Sequence, residues 1–260
     1  MSAWILLRGL TRESRHWADF PDRLRAAGIE ERIVSADLPG SGRWFRERSP
    51  SSIAATTDFV RDRLTNEGYA PPYRIIALSL GAMVAVDWAQ RFPGEVERTV
   101  LINTSLARLS TPFERLRPSA WPMIARVLGR WHSRRAAEAV IHRLTCHRTD
   151  SFDTDLTAWT AIYESAPPTR ANALRQLYAA ARFRGPSAAL QCPVLILASR
   201  ADALVHCACS SKLAAAWGAT LIAHPWAGHD LPHDDPVWLA ETIAAWVGNA
   251  LAVAAPPTGA

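Results

Sequence analysis

The chain has 260 residues, of which 49% are hydrophobic, and carries a formal charge of +5 with a pI near 9.4. That is enough apolar material for a sizeable core in one α/β domain with an insertion, and too little net charge, spread over scattered arginines without a recognition motif, for a nucleic-acid-binding protein. No apolar run approaches the roughly eighteen residues of a membrane span, and the N-terminal Ala3 to Leu7 reads as a first strand, so a cytoplasmic protein with no membrane partner is expected.

Ala3 to Leu7 breaks at Arg8-Gly9-Leu10-Thr11, and apolar positions Trp17, Phe20, Leu24 and Ala27 then recur at helical spacing up to Gly28, with Pro21 marking a kink or a late start. A second strand over Glu31 to Ala36 ends in Asp37-Leu38-Pro39-Gly40-Ser41-Gly42, and Ser51 or Ser52 caps a helix running to about Thr65. Arg74 to Leu78 is a third strand. It stops at Ser79 and turns at once into a helix over Leu80 to Phe92, which Pro93-Gly94 ends before a strand at Val96 to Ile102. Strands alternating with helices imply a mainly parallel, doubly wound sheet of about six strands whose working residues lie past the strands' C-terminal ends. The core is thus expected over residues 1–104 and 191–253. Residues 105–190 lose the alternation and read as a helical cap insertion, and 254–260 as a fraying tail. The later core strands are Val194 to Ala198 and Thr220 to Ala223, with helices from about Cys207 to Trp217 and Pro236 to Leu251.

The turn Ala77-Leu78-Ser79-Leu80-Gly81 has the form of a nucleophile elbow, with alanine at the first small position. A chain that reverses at Ser79 leaves almost no room two residues to either side. The helix beginning there aims its free N–H groups, Leu80's first, at any anion formed at the hydroxyl. A serine needs a base, and the base needs a carboxylate to hold its tautomer. In elbow proteins these follow in the order serine, acid, histidine. Asp202 follows the strand ending at Ala198, and His229 follows the strand ending at Ala223. Asp87 is a helical carboxylate. Asp230, Asp234 and Asp235 lie too near His229 in sequence to reach its far nitrogen, and Asp234-Asp235-Pro236 reads as the start of the last helix. His224 and His233 are expected at the surface or behind the site, and His16 beside the pocket.

Order and strand-end placement together identify the chain as similar to the α/β-hydrolase superfamily. The resemblance implies Ser79 as nucleophile, His229 as general base and acid, and Asp202 as the residue orienting it. It implies oxyanion donors at the backbone N–H of Leu80 and of Leu10, where the family shows His-Gly and this chain has Arg8-Gly9. Arg8 has two readings, a role in binding and a simple pairing with a nearby carboxylate. Serine rather than aspartate at the elbow sets the chain apart from the related dehalogenases and epoxide hydrolases. It implies a cofactor-free carboxyl ester hydrolase with an acyl-enzyme intermediate, acting on a small ester or thioester with an apolar acyl or alcohol part.

Trp121, Trp159 and Tyr163 of the insertion are the expected substrate-binding aromatics, against the simpler reading that they hold the cap together. Basic residues outnumber acidic ones there by roughly two to one. The cap layout is similar to that of pimeloyl-carrier methyl-ester esterases, which offers docking of an acyl-carrier protein, with hydrolysis or acyl transfer, as a second reading. A non-catalytic ligand-binding protein of the same fold is a third. Cys146, Cys192, Cys207 and Cys209 lack zinc-site spacing, so no metal is expected, and His206-Cys207-Ala208-Cys209 reads as packing at a helix start rather than a metal or redox site.

Overall fold

The computed structural model of the chain describes residues 2–254, so the expected tail beyond 254 lies outside the described residues. Strands β1 (Ala3–Leu7), β2 (Ile33–Ala36), β3 (Tyr73–Leu78), β4 (Val96–Ile102), β5 (Val194–Ser199) and β6 (Thr220–His224) form one parallel sheet in the order β2-β1-β3-β4-β5-β6. The strands begin and end within two residues of the sequence reading. The first helix does start late: a 3-10 turn at Ser14–Trp17 precedes α1 (Phe20–Ala26), with Pro21 in its first turn, where a missing N–H costs nothing. Helices α2 (Ile53–Asn66, capped by Ser52) and α3 (Leu80–Arg91) follow β2 and β3.

Side chains along each strand alternate between two apolar layers, because successive residues of a strand point to opposite faces. Ile5, Leu7, Ile75 and Ile196 face α2, α3 and the later helix α9 (Ala208–Trp217). Trp4, Leu6, Ile76, Leu195 and Leu197 face α1 and the C-terminal helix α11 (Pro236–Ala254). With both faces covered, the strands read as unbroken apolar runs. The helices α4 (Pro112–Arg115), α5 (Trp121–Gly129), α6 (Arg134–Thr145), α7 (Phe152–Ser165) and α8 (Arg170–Arg182) all lie between β4 and β5. A short α10 (Leu231–Asp234) sits between β6 and α11. No helix among the described residues is long and apolar enough to cross a membrane.

The junction of β3 and α3 is the tightest place in the sheet. Ser79 has φ +57° and ψ −114°, a conformation that costs a non-glycine residue of order 1–3 kcal/mol and that the surroundings must hold in place. A Cβ at Gly81 would lie 2.5 Å from the Leu7 carbonyl oxygen and 2.6 Å from that of Arg8. Both are backbone atoms at the end of the neighbouring strand and cannot swing aside. Gly81→Ala is therefore expected to force β1 and α3 apart and to destabilise the fold by about 1–3 kcal/mol, measured by urea unfolding. The same change at Gly94, which faces open space, serves as the mild control.

Candidate active site

Each parallel strand delivers its polar residues to the same edge of the sheet. Ser79 follows β3 directly, Asn103 and Thr104 follow β4, Asp202 follows β5, His229 follows β6, and Arg8 to Leu10 follow β1. Serine is a favoured helix cap, yet the Ser79 side chain makes no capping bond to α3, which leaves its hydroxyl unspent. Its backbone is fixed on both sides: Ser79 N–H donates to the Ile102 carbonyl (2.9 Å), and its own carbonyl accepts from Thr104 Oγ1 (3.0 Å). The next residue in that run, Asn103, donates through Nδ2 to the His229 carbonyl at 2.9 Å and accepts the Ser199 N–H at 2.8 Å. Residues 102–104 thus hold the backbones of Ser79 and His229 together.

Asp202 and His229, 27 residues apart, meet through Oδ2 and Nδ1 at 2.7 Å, and both are buried. The other carboxylate oxygen accepts the backbone N–H groups of Leu204 (2.7 Å) and Val205 (2.8 Å), so the acid is fully bonded in its ionised form. Burial opposes charging of His229, but the charge and hydrogen bond of Asp202 outweigh it and hold the imidazole above its ordinary pKa of 6.5. With Nδ1 on Asp202, the nitrogen left for chemistry is Nε2. No hydrogen bond joins it to Ser79 Oγ among the described residues, as is common where the bond tightens only on a bound substrate.

Gly9 brings the β1 loop against the serine, and a Cβ there would lie 3.3 Å from Ser79 Cβ. Neither the Leu10 nor the Leu80 N–H donates to a protein acceptor among the described residues, whereas the neighbouring Thr11 N–H is taken by Gln176 Oε1 of α8 at 2.9 Å. Arg8 is turned inward onto a carboxylate. It is 1% exposed and forms a two-bond pair with Asp230 (3.0 and 2.5 Å) while lying 5.0 Å over the Trp17 ring.

The expected aromatics divide. Trp121 is 48% exposed and leans on Phe113, with its indole N–H on the Leu116 carbonyl. Tyr163 packs in the cap's own cluster with Trp131 and Ala173, under the Arg134 guanidinium, and its hydroxyl donates to the Pro168 carbonyl. Trp159 is buried among His16, His142, His233 and Arg12. His16, expected beside the pocket, is likewise buried, and burial together with Arg12 and Arg8 holds its pKa well below the ordinary value. His224 is not at the surface: it is buried and accepts the Ala227 N–H through Nδ1. Asp235 caps α11 as expected. Asp234 instead accepts the N–H groups of Gly228, His147 and Arg148, tying the His229 loop to the cap. Two arginines of this segment bond backbone carbonyls: Arg115 donates to those of Ala180 and Ala181, and Arg117 to that of Asp202. Asn103 and Thr104 were missed in sequence, although a polar Asn-Thr-Ser run straight after an apolar strand marks such a strand end.

A family model described as the Alpha/beta hydrolase family matches residues 4–242. The chain belongs to that family. Solved structures share its fold at low identity. The esterase RhEst1 from Rhodococcus sp. ECU1013 is 16% identical with a TM-score of 0.74, covering 95% of this chain and 90% of that one. A thermophilic esterase from Thermogutta terrifontis is 20% identical with a TM-score of 0.70, covering 96% and 90%. The enol-lactonase from Burkholderia xenovorans LB400 is 19% identical with a TM-score of 0.71, covering 96% and 91%. No curated protein sequence matches the chain.

Burial alone would raise the Asp230 carboxyl, but the charge and bonds of Arg8 outweigh it and hold its pKa below the ordinary 3.8. The pair's contribution is therefore complete above the unfolded carboxyl's pKa and lost as pH falls through the depressed folded value. Arg8→Ala, which strands a buried carboxylate, is expected to cost about 3–5 kcal/mol in chemical denaturation at neutral pH. The double change Arg8→Ala/Asp230→Ala should cost less than the two single changes added together.

Proposed function

We propose that Ser79, His229 and Asp202 act as a triad that hydrolyses carboxylic esters or thioesters by double displacement. The observation that carries this reading is the buried Asp202–His229 pair, placed at the same sheet edge as a strained serine whose hydroxyl caps nothing. In a protein that only bound a ligand, neither the strain at Ser79 nor the saturated carboxylate behind His229 would have a use.

Ser79 Oγ attacks the acyl carbon as its proton passes to His229 Nε2. The imidazolium that results is stabilised by Asp202, and the tetrahedral oxyanion accepts the free N–H groups of Leu80 and Leu10, each such donor being worth about 3–4 kcal/mol in the transition state. Collapse breaks the bond to the alcohol or thiol, which leaves with the proton from His229. Water then gives a proton to His229 and its oxygen to the acyl carbon, the second tetrahedral intermediate collapses by breaking the bond to Ser79 Oγ, which takes the proton back from His229, and the carboxylic acid departs. The family membership and the esterase and lactonase names among the fold neighbours support acyl chemistry of this kind.

A fluorophosphonate should label the protein at one serine, and Ser79→Ala should abolish labelling and lower kcat on a short-chain chromogenic ester by at least about 10⁴-fold. Labelling that survives Ser79→Ala would remove the reading. Because His229 must be neutral to take the proton, kcat/KM should fall with decreasing pH through a limb lying above 6.5. Asp202→Asn removes the charge that raises the imidazole, so it should move that limb to lower pH as well as reduce the rate.

A further inference from the structure

Behind His229, at the seam between the cap and the core, lies a second cluster of reactive side chains that the proposed reaction does not use. His142 and Cys146 stand four residues apart at the end of α6, and so on one face of it. His233 comes from α10, four residues after His229. One ring nitrogen of each histidine and the Cys146 sulfur all lie within 4.8 Å of one another. Ligands around a tetrahedral zinc at about 2.0–2.3 Å sit roughly 3.3–3.7 Å apart, so closing these three on a cation asks for movements of about 1 Å.

The surroundings favour a cation over an empty polar pocket. Asp155 Oδ2 lies 3.1 Å from His142 Nε2 and 3.0 Å from His233 Nε2, the carboxylate partner that metal-bound imidazoles usually have. Of these two contacts only the one to His142 is a hydrogen bond, and the buried His233 Nε2 has no hydrogen-bond partner among the described residues. Trp159 covers both rings, with centroids 5.1 and 5.2 Å away. Asp234, bonded to the His147 N–H, and Asp155 bring negative charge to this seam, while Arg12, packed on Trp159, is the opposing charge.

We propose that His142, Cys146 and His233 form a binding site for one divalent cation of the zinc class, which clamps the cap to the loop carrying His229. On binding, Cys146 loses its proton to solvent and ligates as the thiolate, the two imidazoles ligate as neutral rings, and the Asp155 carboxylate lies against both rings. Backbone bonds already join the same two segments, with the Asp230 N–H on the Thr145 carbonyl (2.8 Å) and the His147 N–H on Asp234 (3.0 Å). The cation would add a direct link across a seam that hydrogen bonds, the Asp155–His233 contact and the packing of Trp159 on His233 already hold. Spacing in sequence hides this site, because His233 lies 87 residues beyond Cys146.

The test uses the full chain, stripped with a chelator and titrated with Co²⁺ as a spectroscopic stand-in. One equivalent should produce a thiolate-to-cobalt band in the near ultraviolet, which Zn²⁺ removes on displacing it. Zn²⁺ at a hundredfold excess over its Kd should raise Tm by about 5 °C or more. Cys146→Ser should lose both the band and the Tm shift. Cys207→Ala, which alters the tighter His-Cys-Ala-Cys run at the start of α9, should keep both. Should Cys146→Ser fail to fold by circular dichroism, His142→Gln carries the same expectation. Absence of the band at saturating Co²⁺, its survival in Cys146→Ser or its loss in Cys207→Ala would each overturn the proposal.

Discussion

Everything at the sheet's working edge depends on how closely three backbones approach one another at Ser79. The chain reverses there with φ at +57°, and α3 starts so near the end of β1 that Gly81 has the Leu7 and Arg8 carbonyls where its side chain would be. Gly9 meets Ser79 from the β1 side with similar economy. Crowding of this kind turns an ordinary strand-to-helix connection into a pedestal for the serine, with the N–H of Leu80 at the start of α3 free of any protein acceptor among the described residues. The local strain is tolerable because Ile102 and Thr104 bond both backbone groups of Ser79, so the surrounding structure over-determines a conformation the residue alone would avoid.

The six strands and their parallel sheet, the strand-to-helix turn at Ser79, and the positions of Asp202 and His229 past β5 and β6 were legible in the sequence. Each is announced by local chemistry: an apolar run buried on both faces, a small residue where the chain turns, a polar residue just past a strand. What stayed hidden is the material that fixes those residues relative to one another. Arg8 gave no sign in sequence of which of its two readings held, because its partner lies 222 positions away. Gln176 of α8 takes the Thr11 N–H across 165 residues. No periodicity or spacing rule reports such contacts; they exist only once the layers have packed.

The cap shows the same limit from the other side. Its aromatic and basic content suggested a substrate cleft and a docking surface, and composition alone could not separate those from internal use. Tyr163 spends its hydroxyl on Pro168, Arg134 lies on the Tyr163 ring, and Arg115 and Arg117 reach backbone carbonyls of α8 and of the Asp202 loop. An arginine is well suited to this, since its planar fork can satisfy several carbonyls left open at helix ends. In a helical insertion without a sheet to organise it, long polar side chains supply the connections that strand pairing supplies in the core.

The buried charges around His229 fit together in one respect that bears on its chemistry. Two carboxylates, Asp202 and Asp230, approach the imidazole, and either one favours its charged form. A base burdened by both would hold its proton too firmly to serve near neutral pH. Arg8 lies on Asp230 with two hydrogen bonds and lowers the imidazole's pKa by its own charge, so it opposes the second carboxylate where His229 feels it. Asp202 carries no such neutralising partner on its carboxylate, whose second oxygen faces only backbone N–H groups. The departure from the family's His-Gly loop to Arg8-Gly9 therefore places a cation among the charges that act on the histidine, against the two carboxylates.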